Sequence, residues 1–197
     1  VFLGRALQTV NPPNASVGSA QVADSLISGK TALGATPADT DELLISDAGT
    51  LKRVDYSYLK SANTPAFSAK KADENQSIAN NTAVKCQFDT IVFDTDSCYD
   101  TSNYRFTPNV SGKYCLITNV RCRQTTDFND LNVAFYKNGS GFNKFQNNSS
   151  HHNESMLVTA VVEANGTDYF EVFMSQTSGN TDTANMFEFS GYKLIGV

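Results

Sequence analysis

The sequence has no tryptophan, only five prolines and few charges: 15 Lys and Arg and 20 Asp and Glu in 197 residues. Basic residues never gather into a dense run and the formal net charge is −5 at pH 7. The electrostatic footprint of a nucleic-acid partner or of binding to an anionic membrane is therefore missing. No apolar run approaches the roughly 20 residues of a membrane-spanning helix, which speaks against membrane insertion. The four cysteines, Cys86, Cys98, Cys115 and Cys122, lack the short paired spacing of a structural zinc site. They are expected to be free, partly buried thiols, because a chain of this size buries a core without staples. Cys115 and Cys122, seven apart on one expected strand, face opposite sides of a sheet. Val1 opens the sequence without an initiator Met or a basic signal region, and a processed product is the expectation.

What replaces charge is neutral polarity: 19 Asn, 19 Ser and 19 Thr, residue types suited to turns and sheet surfaces. This richness by itself produces nine Asn-x-Ser/Thr sequons, at Asn14, Asn75, Asn80, Asn109, Asn138, Asn147, Asn148, Asn153 and Asn165, so they do not argue for glycosylation. Aromatics divide the chain. Of 21 Phe and Tyr, only Phe2, Tyr56 and Tyr58 precede Pro65. Residues 66–197 hold the core, whereas residues 1–65, poor in large side chains, need another copy or another domain to pack against.

In the first region, Val1 to Val10 reads as a strand closing a preceding segment, broken by Pro12 and Pro13. The spacing predicts a short helix over Ser19–Ile27, stopped at Gly29, and a small hairpin joining Leu44–Ser46 to Thr50–Val54 through Asp47-Ala48-Gly49. In the second region the hydrophobic period is two. Tyr114, Leu116, Thr118 and Val120 alternate with Cys115, Ile117, Asn119 and Arg121, and Phe170, Val172 and Met174 alternate with Glu171 and Phe173. Phe187 and Phe189 flank Glu188. Further strands are predicted at Ala66–Ala69, Lys85–Phe93, Asn103–Thr107, Leu131–Lys137, Met156–Glu163 and Gly191–Gly196, the strand number of an all-β, antiparallel jelly-roll sandwich.

The runs Ile91 to Asp94, Arg105 to Cys115 (RFTPNVSGKYC), Tyr136 to Gly139 (YKNG), Ala164 to Val172 (ANGTDYFEV) and Phe187 to Gly196 (FEFSGYKLIG) carry a more specific signal. In order and spacing they resemble the trimeric jelly roll of the complement globular-head and tumour-necrosis-factor superfamily over nearly all of residues 66–197. Gly112 is expected to turn the chain so that Tyr114 enters the core, and Gly191 to let strands approach closely. The first region is similar to shaft segments of tail fibres and related appendages of tailed bacteriophages, particularly marine ones. Together these resemblances imply residues 1–13 as the end of a preceding segment, 14–65 as a trimeric shaft and 66–197 as a jelly-roll tip.

Asp94, Asp96 and Asp100 in DTDSCYD could hold calcium if the backbone curls around it, the one cofactor the sequence admits. The missing sixth-position Gly and twelfth-position Glu favour a plain solvated turn. No nucleophile–base pair, facing carboxylates or Gly-rich phosphate loop stands out, so an enzyme is not expected. Recognition is expected in loops: Asn138–Asn153, with Asn138, Phe142, Phe145, His151 and His152, and Gln176–Asn185, with Gln176 and Asn180. The functional expectation is the distal part of a phage tail fibre, a homotrimer that meets other virion proteins through its N-terminal region and a bacterial surface glycan or protein through its tip. The alternative is a head fibre or capsid decoration protein with a structural role.

Overall fold

Alternating apolar residues make strands wherever the predicted period of two runs unbroken, and the computed structural model describes residues 25–59, 62–71, 75–123, 130–147 and 153–195. The expected opening strand, residues 19–24 of the expected helix, His151 and His152 lie outside the described residues. The chain divides into two compact units, Val1–Lys60 and Ser61–Val197.

In the first unit a four-residue helix, α1 (Ser25–Ser28), is followed by β1 (Glu42–Asp47) and β2 (Thr50–Asp55). Asp47 pairs with Thr50, so the connection is the two residues Ala48 and Gly49, both at positive φ, and not the three residues expected. Leu43, Leu44, Ile45 and Leu51 are exposed on this hairpin. A lone two-stranded sheet with uncovered leucines has no core of its own.

The second unit continues with β3 (Ala66–Lys70), β4 (Gln76–Ile78), β5 (Val84–Lys85), β6 (Thr90–Asp94), β7 (Tyr99–Asp100), β8 (Arg105–Phe106), β9 (Gly112–Arg123), β10 (Leu131–Lys137), β11 (Ser140–Asn147), β12 (Asn153–Ala164), β13 (Phe170–Gln176) and β14 (Asp182–Lys193). Two antiparallel sheets face each other. The first runs β12-β9-β14-β3-β6 with β4 also on β14, and the second runs β11-β10-β13-β8-β7 with β5 also on β13.

Three expectations change in detail. Lys85–Phe93 is not one strand: β5 lies in the second sheet and β6 in the first, and the crossing between them buries Cys86 and Phe88 completely. Phe187–Phe189 and Gly191–Lys193 are parts of one strand, β14, which ends at Lys193 and has an irregularity between Asn185 and Glu188 where Thr118 Oγ1 donates to Glu188 O at 2.8 Å. Ser140–Asn147 is a strand where a loop was expected. Asn138 and Gly139, both at positive φ, make a two-residue turn that pairs Lys137 with Ser140.

The alternation on β9 is as read: Tyr114, Leu116, Thr118 and Val120 are buried while Asn119 is exposed. The inner faces close a core of rings. Phe67 stacks on Phe106 at 4.5 Å and on Tyr99 at 4.9 Å between centroids, and Phe189 meets Phe67 edge-on at 4.8 Å. Tyr114 enters that core and still satisfies its hydroxyl, donating to Val110 O at 2.7 Å. The demand for glycine falls at Gly191, where a Cβ would lie 2.9 Å from Phe67 Cε1 and 3.0 Å from Leu116 Cδ2. At Gly112, whose φ is +159°, a Cβ would lie 2.7 Å from the flexible Lys193 side chain. All four cysteines are free. Burial pushes the Cys86 thiol well up, with the neighbouring Cys122 adding to the shift, which leaves it unreactive.

Candidate functional site

The side chains singled out in the sequence have unequal fates. Asn138 is consumed in holding its own turn. Its Nδ2 donates to Asp168 Oδ1 at 2.8 Å, and its Oδ1 accepts the Tyr169 N–H at 3.0 Å. The other Asp168 oxygen accepts the Asn165 N–H and Lys137 Nζ, both at 2.9 Å. These bonds, the Asn138 amide first, bring the Asp168 carboxyl from 3.8 down to about 2. Folding thus favours the ionised form, so the contribution is complete above pH 3.8 and disappears as pH falls through about 2. Between about pH 4 and pH 2 the wild-type melting temperature should therefore fall more steeply than that of Asp168→Asn. Parallel profiles in the two proteins would show that Asp168 does not tie this turn.

Phe142 and Phe145 lie on β11 and each remains 43% exposed. Phe142 leans on the core rings Phe135 at 6.2 Å and Phe170 at 6.1 Å, and Phe145 sits opposite the core-facing Val133. Both therefore finish the open edge of the sandwich, and the Asn138–Asn153 segment is mostly a hairpin arm in place of the expected recognition loop. Gln176 is corrected outright. It is fully buried, with Nε2 donating to Ile78 O and Asn180 O and Oε1 accepting the Ser178 N–H. It positions the turn that carries the exposed Asn180, and offers nothing to a surface ligand.

The three aspartates do not form a cation shell. Asp94 accepts the N–H groups of Cys98 at 2.9 Å and Tyr99 at 3.0 Å, and Asp100 accepts the Ser102 hydroxyl and the Asn103 amide, each at 2.6 Å. Burial works to raise the Asp94 carboxyl, but the hydrogen bonds from Cys98, Tyr99 and Asp96 outweigh it and the result lies below the usual range. The Ser102 and Asn103 bonds hold Asp100 at about 2. Asp96 accepts the Thr95 hydroxyl at 2.6 Å. Among the described residues no group of three or more metal-ligating side chains is gathered. The aspartates cap their own turn, which answers the missing glycine and glutamate of the motif.

Two surfaces escaped the sequence reading. On the outward face of the first sheet, strand pairing aligns Thr159, Ile117, Ser190, Ser68 and Phe93 in one row and Val161, Cys115, Tyr192 and Ala66 in the next. These two rows contain no charge. Beside them Leu157 and Val161 are 66% and 68% exposed. On the outward face of the second sheet, Glu171 is buried beneath Lys85 Nζ at 2.7 Å and Arg105 Nη2 at 3.0 Å, and the Arg105 guanidinium lies 4.1 Å over the Tyr169 ring. Alternation had marked Glu171 as outward; the two cations that cover it come from strands 66 and 86 residues earlier.

No protein-family model matches the chain, and no curated protein sequence matches it. Among solved structures, the globular domain of zebrafish complement 1qA protein superposes with a TM-score of 0.52 at 17% identity, covering 66% of this chain and 98% of that one. Murine APRIL gives 0.50 at 11% identity, covering 66% and 98%. PRD1 vertex protein P5, a phage structural protein, gives 0.54 at 14% identity and covers 94% of this chain and 99% of that chain. At these identities the likeness is one of fold. The chain carries an all-β antiparallel sandwich resembling the jelly roll of the complement and tumour-necrosis-factor proteins.

Proposed function

We propose that the chain is a trimeric, non-enzymatic attachment module at the tip of a phage tail fibre, with the sandwich as the part that meets the bacterial surface. The observation that carries this reading is a charge-free band on the outward face of the first sheet, bounded by Glu188 and Lys70 on one side and by Lys113 and Glu163 on the other. One row crosses five strands and the next crosses four, both made of small and apolar side chains, and Leu157 and Val161 stand exposed on β12. A contiguous exposed apolar face marks an interaction surface, and a symmetric oligomer covers it with copies of itself. The exposed leucines of the β1–β2 hairpin make the same demand independently in the other unit. Homotrimers are usual among domains of this fold, which supports three copies. Three tips on one axis multiply weak contacts by effective concentration, as capture of a repetitive cell surface requires.

The likeness to PRD1 vertex protein P5 over 94% of the chain favours a second reading, a spike or decoration on the capsid. The two separate in one experiment. Purified chain, added to host cells before the phage, should occupy receptors and lower phage adsorption, while antibodies to residues 61–197 should label tail tips on intact particles. A folded trimer that leaves adsorption unchanged, with label on the capsid, would favour decoration.

A further inference from the structure

The outward face of the second sheet has a shallow groove with Ala134 as its floor. Pairing places Ala134 between Lys144 of β11 and Phe173 of β13, and the small side chain leaves about 100 Å³ of space. One wall is a pair of rings, Tyr136 and Phe173, 4.1 Å apart between centroids and tilted by 32°. At the other end stands Asn132, opposite Ser175 and only 8% exposed. Its Oδ1 is buried without a hydrogen-bond partner. A buried acceptor left unmade is costly and rare, so this one asks for a donor that none of the described residues supplies. Exposed Lys144 stands at the rim, and beside the groove Lys85 and Arg105 outweigh Glu171. This face is locally positive on a chain of net charge −5.

We propose that the groove is a saccharide subsite that prefers acidic sugars, which rests on the attachment reading above and names its class of ligand. The C–H face of a pyranose ring covers the Tyr136–Phe173 pair, a ring hydroxyl donates to Asn132 Oδ1, and Lys144 pairs with a carboxylate substituent. Each part answers to a feature of the groove. An apolar molecule would leave Asn132 unmade. A peptide added as a strand would pair along the edge strand β11 and not over the groove floor, because β10 and β13 are interior strands. The volume is well below that of a pocket for a drug-sized ligand, so it accepts one ring and not a chain. Affinity per site is accordingly low, and repetition supplies the rest.

The test is saturation-transfer NMR on the full chain with the methyl glycosides of glucose, N-acetylglucosamine, rhamnose, glucuronic acid and galacturonic acid, and with sialic acid. Ring protons of at least one acidic sugar should be saturated strongly, and those of neutral sugars weakly. Tyr136→Ala should abolish the signal. Asn132→Leu should weaken it at least tenfold while the melting temperature stays the same or rises, because the variant removes an unsatisfied acceptor. Lys144→Gln should erase the preference for acidic sugars. Absence of transfer from every sugar, transfer that survives Tyr136→Ala, or an Asn132→Leu protein that fails to fold would overturn the subsite, the last by showing that Asn132 serves the fold. Equal signals from neutral and acidic sugars in the wild type would overturn the acidic preference. If no sugar binds yet the trimer still blocks adsorption, the subsite fails and attachment stands; if sugars bind and adsorption is unaffected, attachment fails.

Discussion

Phe189→Ala should destabilise the Ser61–Val197 unit by about 3–5 kcal/mol, a large share of the roughly 5–15 kcal/mol by which a domain is ordinarily stable. Phe189 is fully buried and meets four other rings: Phe67 at 4.8 Å, Phe88 at 5.5 Å, Phe135 at 5.9 Å and Tyr99 at 6.2 Å. Those rings come from both sheets and from the crossing between them, so no one element can move inward to fill the space. The loss should stand near the upper end of the range for that reason, since cavity cost depends on how far the surroundings collapse. Denaturant midpoints of wild type and variant measure it. A variant that loses less than about 1 kcal/mol would mean that the two sheets close independently of Phe189.

The second large effect is on assembly. Leu157→Asp combined with Val161→Asp should convert a trimer into monomers while far-UV circular dichroism stays that of the sheet. Both side chains point away from the core on β12, between the buried Met156, Val158 and Ala160, so the substitutions leave the sandwich interior untouched. Burying a Leu or Val contributes about 1.5–3 kcal/mol. In a trimer each is lost three times, and each Asp adds the cost of burying an unpaired carboxylate. Light scattering reads the outcome as a mass of one chain in place of three. A double variant that keeps the wild-type mass would move the subunit contact off this sheet. The same variant also asks how attachment depends on number: monomers with an intact groove should bind sugar and yet compete poorly for adsorption.

Where one face of a strand is covered by core and the other meets water, its side chains announce it, and β9 was legible for that reason; β10, buried on both faces from Leu131 to Phe135, was legible as a short run rich in apolar and aromatic residues. Leu131–Lys137 agrees with expectation to the residue, and the alternation from Tyr114 to Val120 places four side chains inside as read. The Asn138-Gly139 turn uses residue types that two consecutive positive φ values call for. β11 was not legible. It is an edge strand with mostly exposed residues, and no periodic pattern survives where neither face is fully covered. Its register comes from the turn before it and from β10 beside it.

Fold class, the division between a core-poor and a core-rich region and the free thiols follow from composition and local period, which are properties of neighbouring residues. The candidate site does not. Asn132, Tyr136, Lys144 and Phe173 are ordinary strand residues in one dimension, and they become a groove only when β11, β10 and β13 pair in register around Ala134. Gln176 read as a polar loop residue until long-range packing buried it beside Ile78, a residue 98 positions earlier. The apolar face of the first sheet likewise joins residues from 66 to 192 through strand pairing alone. Burial, charge compensation and an unsatisfied acceptor are set by partners far apart along the chain, so only the tertiary structure could decide them.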